Sequence, residues 1–552
     1  MPESAHKKQR GAFFTPQPIA QFLSDWAIRA AADTVLEPSC GEAVFLEAAG
    51  RRIDIISHAN DRIGQRLRGI EIHSPSAVRA RARLAELGYG AAIECSDFFD
   101  IPPLGEYDAV LGNPPFIRYQ SFTGDSRAKA LTAALRQGVP LRRLASAWAA
   151  FLVHASAFLK PNGRLGFVLP AELLATRYAA EVRSFLLRRF GSLKIILFEQ
   201  LIFPGVMEEV ILLLAEGSGG CNSFEVIQVK NIDSLNHAIL RGNGYHPPHP
   251  NHKWTTGLLQ QEAQHVLSTL SHSKSFETLS NWGNTYLGFV TGSNAFFTLS
   301  EAERIRHRLT DKDIIRIFPP GTRKINWFAF TEAAWHSMRD EGAAVYLFYP
   351  RSTALDTNSK NYIDVGVNRK IHTGYKCANR KPWWRVPIPQ EPDLIFTYMN
   401  HQMPRIVSND AKIQASNSVY GVKLHRNRKL IGRKVLPRLF FNSVSALSSE
   451  IEGRSYGGGL LKIEPREADR IFLPSLSIAA DLFDELDEIF PAQGTLQQSE
   501  YADSCERMDR ILLNAVSGLT EDAIKIIQKA RKDLLGRRMS RTKSVKAVGS
   551  LD

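Results

Sequence analysis

Strand and helix patterns alternate along the first 216 residues, and this alternation constrains the fold more than any other feature of the sequence. Seven short apolar or β-branched runs lie at 34–38, 68–73, 92–98, 107–112, 164–170, 192–200 and 209–216, each with turn residues beside it. Helical patterns fill most of the gaps. A first helix precedes them all: Ile19, Phe22, Leu23, Trp26 and Ala27 share one face at the 3.6-residue period, with Thr15 placed to cap it and Pro16 in its first turn. The order predicts an α/β fold, a doubly wound and mostly parallel sheet covered by helices. Such sheets bind ligands at the carboxyl ends of their strands.

Two irregular stretches follow, GSGGC at 217–221 and GNGYHPPHPNHKW at 242–254. Glycine and serine make flexible connections, so the first is read as a boundary. The expected domains are 1–220 (α/β), 221–475 (mixed α+β) and 476–552 (helices and a basic tail). At 552 residues and 44% hydrophobic content the chain has room for several real cores. No apolar run approaches the roughly 18 residues that span a bilayer, and MPESAHKKQRGAFFTP has no apolar signal region. Five scattered cysteines without a CxxC pair suit a reducing cytoplasm and no disulfide framework. His246, His249 and His252 invite a metal reading, but the prolines among them bar a shared helix face and no nearby acid completes a site, so no metal is expected.

The net charge of +13 is uneven: residues 1–220 carry +3 and residues 221–552 carry +10. A polyanion partner is the functional reading of that excess, and solubility the bland one.

Chemistry concentrates at YDAVLGNPPFIRY, residues 107–119. An apolar strand runs into Asn113-Pro114-Pro115-Phe116. The prolines fix φ and remove two N–H donors, so the backbone is rigid and cannot continue a ladder. The Asn113 side-chain oxygen and the Pro114 carbonyl are then two acceptors held close together. Such a pair can take both hydrogens of one planar NH2 group, and Phe116 can stack on the ring that carries it. The alternative is a plain turn ending a strand.

Asn113-Pro114-Pro115-Phe116 resembles the catalytic tetrapeptide of S-adenosylmethionine-dependent amino-group methyltransferases, in the form typical of N6-adenine DNA methyltransferases. Other motifs fall in the order of that class. GAFFTP at 11–16, with Thr15, looks like the opening cofactor motif. VLEPSCGEAVFL at 35–46 looks like the main cofactor loop, with Glu37, Pro38 and Gly41 in place and Ala43 where the family has a second glycine. The resemblance implies that Glu71 holds the ribose, that Asp97 accepts from the adenine amino group of the cofactor, and that Phe98 lies on that ring. Phe203, in FPG at 203–205, would face Phe116 across the target base.

Beyond residue 216 the resemblance is diffuse. GFVTGSNAFFTLS at 288–300, residues 420–440 and the closing helices at 509–538 look like the target-recognition region of such enzymes. Two long windows there lack any acid. Residues 365–390 hold Arg369, Lys370, Lys376, Arg380, Lys381 and Arg385 among Tyr375, Trp383 and Trp384. Residues 421–438 hold Lys423, Arg426, Arg428, Lys429, Arg433, Lys434 and Arg438. Both are read as DNA-facing, with a solvated basic surface as the alternative.

The resemblance implies a monomeric, cytoplasmic, site-specific N6-adenine DNA methyltransferase of a restriction–modification system. Its cofactor would be S-adenosylmethionine, its substrate double-stranded DNA, and its functional counterpart a separate endonuclease. Three rivals stand beside it: N4-cytosine methylation, methylation of a protein glutamine, and a DNA-specificity subunit with an inactive methyltransferase domain.

Overall fold

The structure, a computed structural model, describes residues 15–57, 66–142, 144–200, 202, 209–235, 242–320, 328–352, 354–456, 459–490 and 496–548. The chain forms two compact units, residues 1–264 with 539–552, and residues 265–538.

The first unit is built on a nine-stranded sheet. Its strands are β1 (Val35–Glu37), β2 (Leu67–Ile70), β3 (Ala92–Glu94), β4 (Tyr107–Gly112), β5 (Leu159–Pro170), β6 (Ser192–Phe198), β7 (Val210–Glu216), β8 (Phe224–Val229) and β9 (Asn243–Tyr245). They lie in the order β3-β2-β1-β4-β5-β7-β6-β8-β9. The first five are mutually parallel, and β7 runs antiparallel between β5 and β6. Each of the seven expected runs contains or overlaps one of β1–β7. The near-continuous apolar sequence of β7, VILLLAE, is what burial on both faces demands.

The helices of this unit are α1 (Gln17–Ala27), α2 (Val44–Ile56), α3 (Ser74–Glu86), α4 (Gly124–Arg136), α5 (Ala147–Ser156), α6 (Glu172–Ala175) and α7 (Ala180–Arg189). The apolar face expected of α1 is buried: Ile19, Phe22, Leu23, Trp26 and Ala27 all join the core.

The division does not fall at 217–221. Those glycines turn the chain, Gly217, Gly219 and Gly220 all taking positive φ, and β8 returns to pair in parallel with β6. Trp254, fully buried against Phe224, still belongs to this core. With residues 539–552 in the first unit, the two units carry +5 and +8, so the asymmetry is smaller than the sequence division suggests.

The second unit is mixed. Its largest sheet has five strands in the order Gly283–Leu287, Tyr420–Leu424, Leu394–Phe396, Ile406–Asn409, Ala329–Phe330. A three-stranded sheet of Thr298–Leu299, Tyr346–Phe348 and Ile314–Arg316 covers a core of Phe296, Phe297, Phe318, Trp335 and Tyr362. After Phe472–Pro474 every described α-helix or strand is a helix, and the unit has no break at residue 475. No helix among the described residues is long and apolar enough to cross a membrane.

Candidate active site

The strand order reverses between β1 and β4, and a cavity of about 570 Å³ opens there. Residues at or just beyond the ends of four neighbouring strands line it: Glu37 from β1, Glu71 beyond β2, Asp97 beyond β3 and Asn113 beyond β4. Thr15, Pro38, Gly41, Phe98 and Pro115 line the same cavity. Parallel strands bring their ends to one edge of the sheet, so Glu37, Glu71, Asp97 and Asn113, far apart in sequence, line one cavity.

The Glu71 carboxylate is fixed by two backbone amides. Gly41 N donates to Oε2 at 2.8 Å and His73 N to Oε1 at 2.7 Å. Gly41 takes φ +52°, and a Cβ added to it would meet nothing within 4 Å, so the loop stays open on the side of the cavity. Ala43, where the family has glycine, also takes a left-handed conformation (φ 65°) as it leads into α2. Alanine tolerates that conformation at a cost of about 1 kcal/mol, so the loop keeps its path.

Glu37 is 2% exposed and accepts from Leu46 N at 3.1 Å. Burial pushes its carboxyl well above the usual range and the Glu71 charge adds to this, while the amides of Leu46 and Phe45 oppose it. Asp97 caps the short turn Phe98–Asp100, accepting from Phe99 N at 3.0 Å, and Lys129 Nζ lies 3.9 Å from its Oδ2. Phe98 is held by Phe151 and Phe158, with centroids at 5.4 and 5.1 Å, and by the edge of His154 at 4.7 Å.

Asn113 Nδ2 donates to Thr15 Oγ1 at 3.2 Å. Thr15 is not the expected helix cap: Pro16 precedes α1 without a side-chain bond, and the threonine hydroxyl turns to the asparagine instead. Pro114 and Phe116 do not line the cavity, and Phe116 is 9% exposed within the core. Phe203 and residues 11–14 lie outside the described residues.

Ile72, Phe122 and Phe151 also line the cavity and were not singled out from the sequence. Ile72 had a signal, an apolar residue directly after a strand-end acid. Phe122 and Phe151 arrive from the approach to α4 and from α5, with no local pattern to mark them.

The basic windows differ from expectation. Trp384 is 7% exposed and packs in the core of the second unit, and Trp383 packs against Phe296 with centroids at 5.6 Å. Neither tryptophan is set out to meet a base. Arg380 donates to the Thr291 and Val290 carbonyls. Arg428 is paired with Glu277, Lys423 and Lys429 share Asp393, and Arg433 is paired with Asp410. Arg369, Lys370, Lys381 and Arg426 are exposed.

Residues 3–232 match the family described as N-6 DNA Methylase. They form an N-6 DNA methylase domain. Residues 251–513 match the family described as the C-terminal domain of type II methyltransferase M.Eco57I. The family matched by residues 3–232 is the one the sequence resembles, and the sheet there is mostly parallel and doubly wound, as expected.

Most of the chain is similar to type II methyltransferase M.AccI of Acinetobacter calcoaceticus, 22% identical over 494 residues that cover 86% of this chain and 87% of the relative. It is similarly related to type II methyltransferase M.XamI of Xanthomonas campestris pv. amaranthicola, 22% identical over 493 residues, 85% of this chain and 86% of the relative. In fold it resembles the type IIL restriction-modification enzyme MmeI, solved in complex with DNA. There the TM-score is 0.56 at 12% identity, covering 99% of this chain and 74% of that one.

Proposed function

We propose that this protein methylates N6 of adenine at a specific site in double-stranded DNA, using S-adenosylmethionine, as the modification enzyme of a restriction–modification system. The observation that carries the reading is the convergence of Glu71, Asp97 and Asn113 on one cavity at the strand ends.

The residues present fit the cofactor. Its adenosine offers hydroxyl and amino donors, and among the acids lining the cavity Glu71 and Asp97 stand as acceptors for them. Its purine needs apolar cover, supplied by Phe98, Phe122 and Phe151. The open side of Gly41 admits close approach. When bound, S-adenosylmethionine supplies an electrophilic methyl group on a sulfonium.

The protein's own part is positioning. An adenine N6 is engaged in base pairing, so the target base leaves the duplex. The Asn113 oxygen and the Pro114 carbonyl accept the two N6 hydrogens and aim the nitrogen lone pair. Thr15, accepting from the Asn113 NH2, holds that amide in place. Orientation of this kind acts on the transition state more than on binding.

Asn113→Ala is therefore expected to lower methyl transfer at least ~100-fold while cofactor and DNA affinities survive. Sequencing DNA from expressing cells for modified bases reads base, position and motif together. N4-methylcytosine, or no modification, would overturn the reading.

A further inference from the structure

The sequence offers two acid-free basic windows, and the second unit treats them differently. In the window 421–438 the cations are largely spoken for inside the protein. Lys429 Nζ lies 2.9 Å and Lys423 Nζ 3.4 Å from Asp393 Oδ1, Arg433 lies 2.9 Å from Asp410, and Arg428 is paired with Glu277 beneath the Trp282 ring. Arg438 is buried, donating to the Phe490 carbonyl. Arg426 stands exposed outside these pairs.

The window 365–390 is built the other way. Its inward residues pin it to the core: Cys377 is buried, Arg380 donates to the carbonyls of Val290 and Thr291, and Trp383 and Trp384 pack among the core aromatics. A Cβ on Gly292 would meet Lys376 Cβ at 2.8 Å, so the two segments are in close contact. Its outward residues, Arg369, Lys370, Lys376 and Lys381, are exposed, and no carboxylate pairs with them among the described residues. Tyr375 stands among them, 79% exposed, with Lys376 Nζ 5.9 Å from its ring.

We propose that the surface presented by Arg369, Lys370, Lys376 and Lys381, with Tyr375 among them, holds double-stranded DNA, and that the window 421–438 is chiefly architecture. This rests on the DNA-methyltransferase reading above. Its grounds are physical. Unpaired exposed cations release counterions from a duplex without first breaking an internal ion pair. An exposed tyrosine on a pinned segment can meet a sugar or base at small entropic cost.

The test uses the full chain and a short fluorescent duplex of arbitrary sequence, titrated at several KCl concentrations. The triple variant Lys370→Ala/Lys376→Ala/Lys381→Ala should flatten the salt dependence by about one unit of slope per lost phosphate contact. Lys429→Ala/Arg433→Ala should leave the slope within about half a unit of wild type. Restoring positive charge with the three Lys→Arg changes should restore the slope, and an unchanged melting temperature excludes a folding defect. A triple variant with the wild-type slope overturns the proposal, as does a flattening confined to the 429/433 pair. Wild-type protein that binds no duplex at all would instead remove the DNA-methyltransferase reading on which the proposal stands.

Discussion

The amide of Gly41 donates to the carboxylate of Glu71 at 2.8 Å, tying the turn after β1 to the end of β2 across 30 residues of sequence. This bond, with that from His73, presets the acceptor before any ligand arrives. Glu71→Ala should weaken S-adenosylmethionine binding by about 1–3 kcal/mol, the usual loss for a hydrogen bond to a charged group. Calorimetry reads it directly. An unchanged affinity would mean that Glu71 only holds the loop.

Thr15 and Asn113 give a second prediction. Thr15→Val keeps the shape and removes the oxygen that accepts from the Asn113 amide. Turnover should fall roughly tenfold, about 1.4 kcal/mol, with little change in the Michaelis constant for DNA. Equal losses in both parameters would point to a binding role.

Glu37 should leave a mark on stability against pH. Its ordinary value is 4.5, and in the folded protein burial raises it well above that. The folded state therefore holds this proton more tightly than the unfolded chain. The stabilisation is complete below the unfolded value and is lost as pH rises through the folded one. Glu37→Gln, neutral at every pH, should gain on wild type in melting temperature as pH climbs from about 5 upward. A difference that stays flat with pH would show the carboxyl ionised throughout.

Trp384 tests architecture against recognition. Buried in the core of the second unit, it should cost about 3–5 kcal/mol of stability as Trp384→Ala, seen as a lower melting temperature. Trp384→Phe should methylate the same DNA sequence as wild type. A changed methylation site would return this ring to the interface.

Truncation tests where the methylase domain ends. A fragment closing at Gly220 loses β8, which pairs with β6 from Lys194↔Glu225 to Phe198↔Val229, and loses the buried Phe224 and Trp254. It should aggregate through the bared strand edge. A fragment of residues 1–264 should stay in solution and bind S-adenosylmethionine in calorimetry. Equal behaviour of the two on size exclusion would make β8 and β9 dispensable.

The sequence by itself determined the sheet and its edge. Apolar runs of strand length separated by 3.6-period helices leave few alternatives, and the chain places Glu37, Glu71, Asp97 and Asn113 at the ends of those runs. Such signals are local: each needs only a few neighbouring residues to be read. Tertiary structure alone decided the rest. It carried the sheet past the glycines at 217–220 and brought Phe151 from α5 to the cavity. It also sorted two basic windows that look alike in sequence. Whether a cation is free depends on a carboxylate that can lie anywhere in the chain: Arg428 meets Glu277 from 151 positions away, while Lys370 and Lys381 meet none among the described residues. Composition counts charges, but only the packed chain decides which of them are already paired.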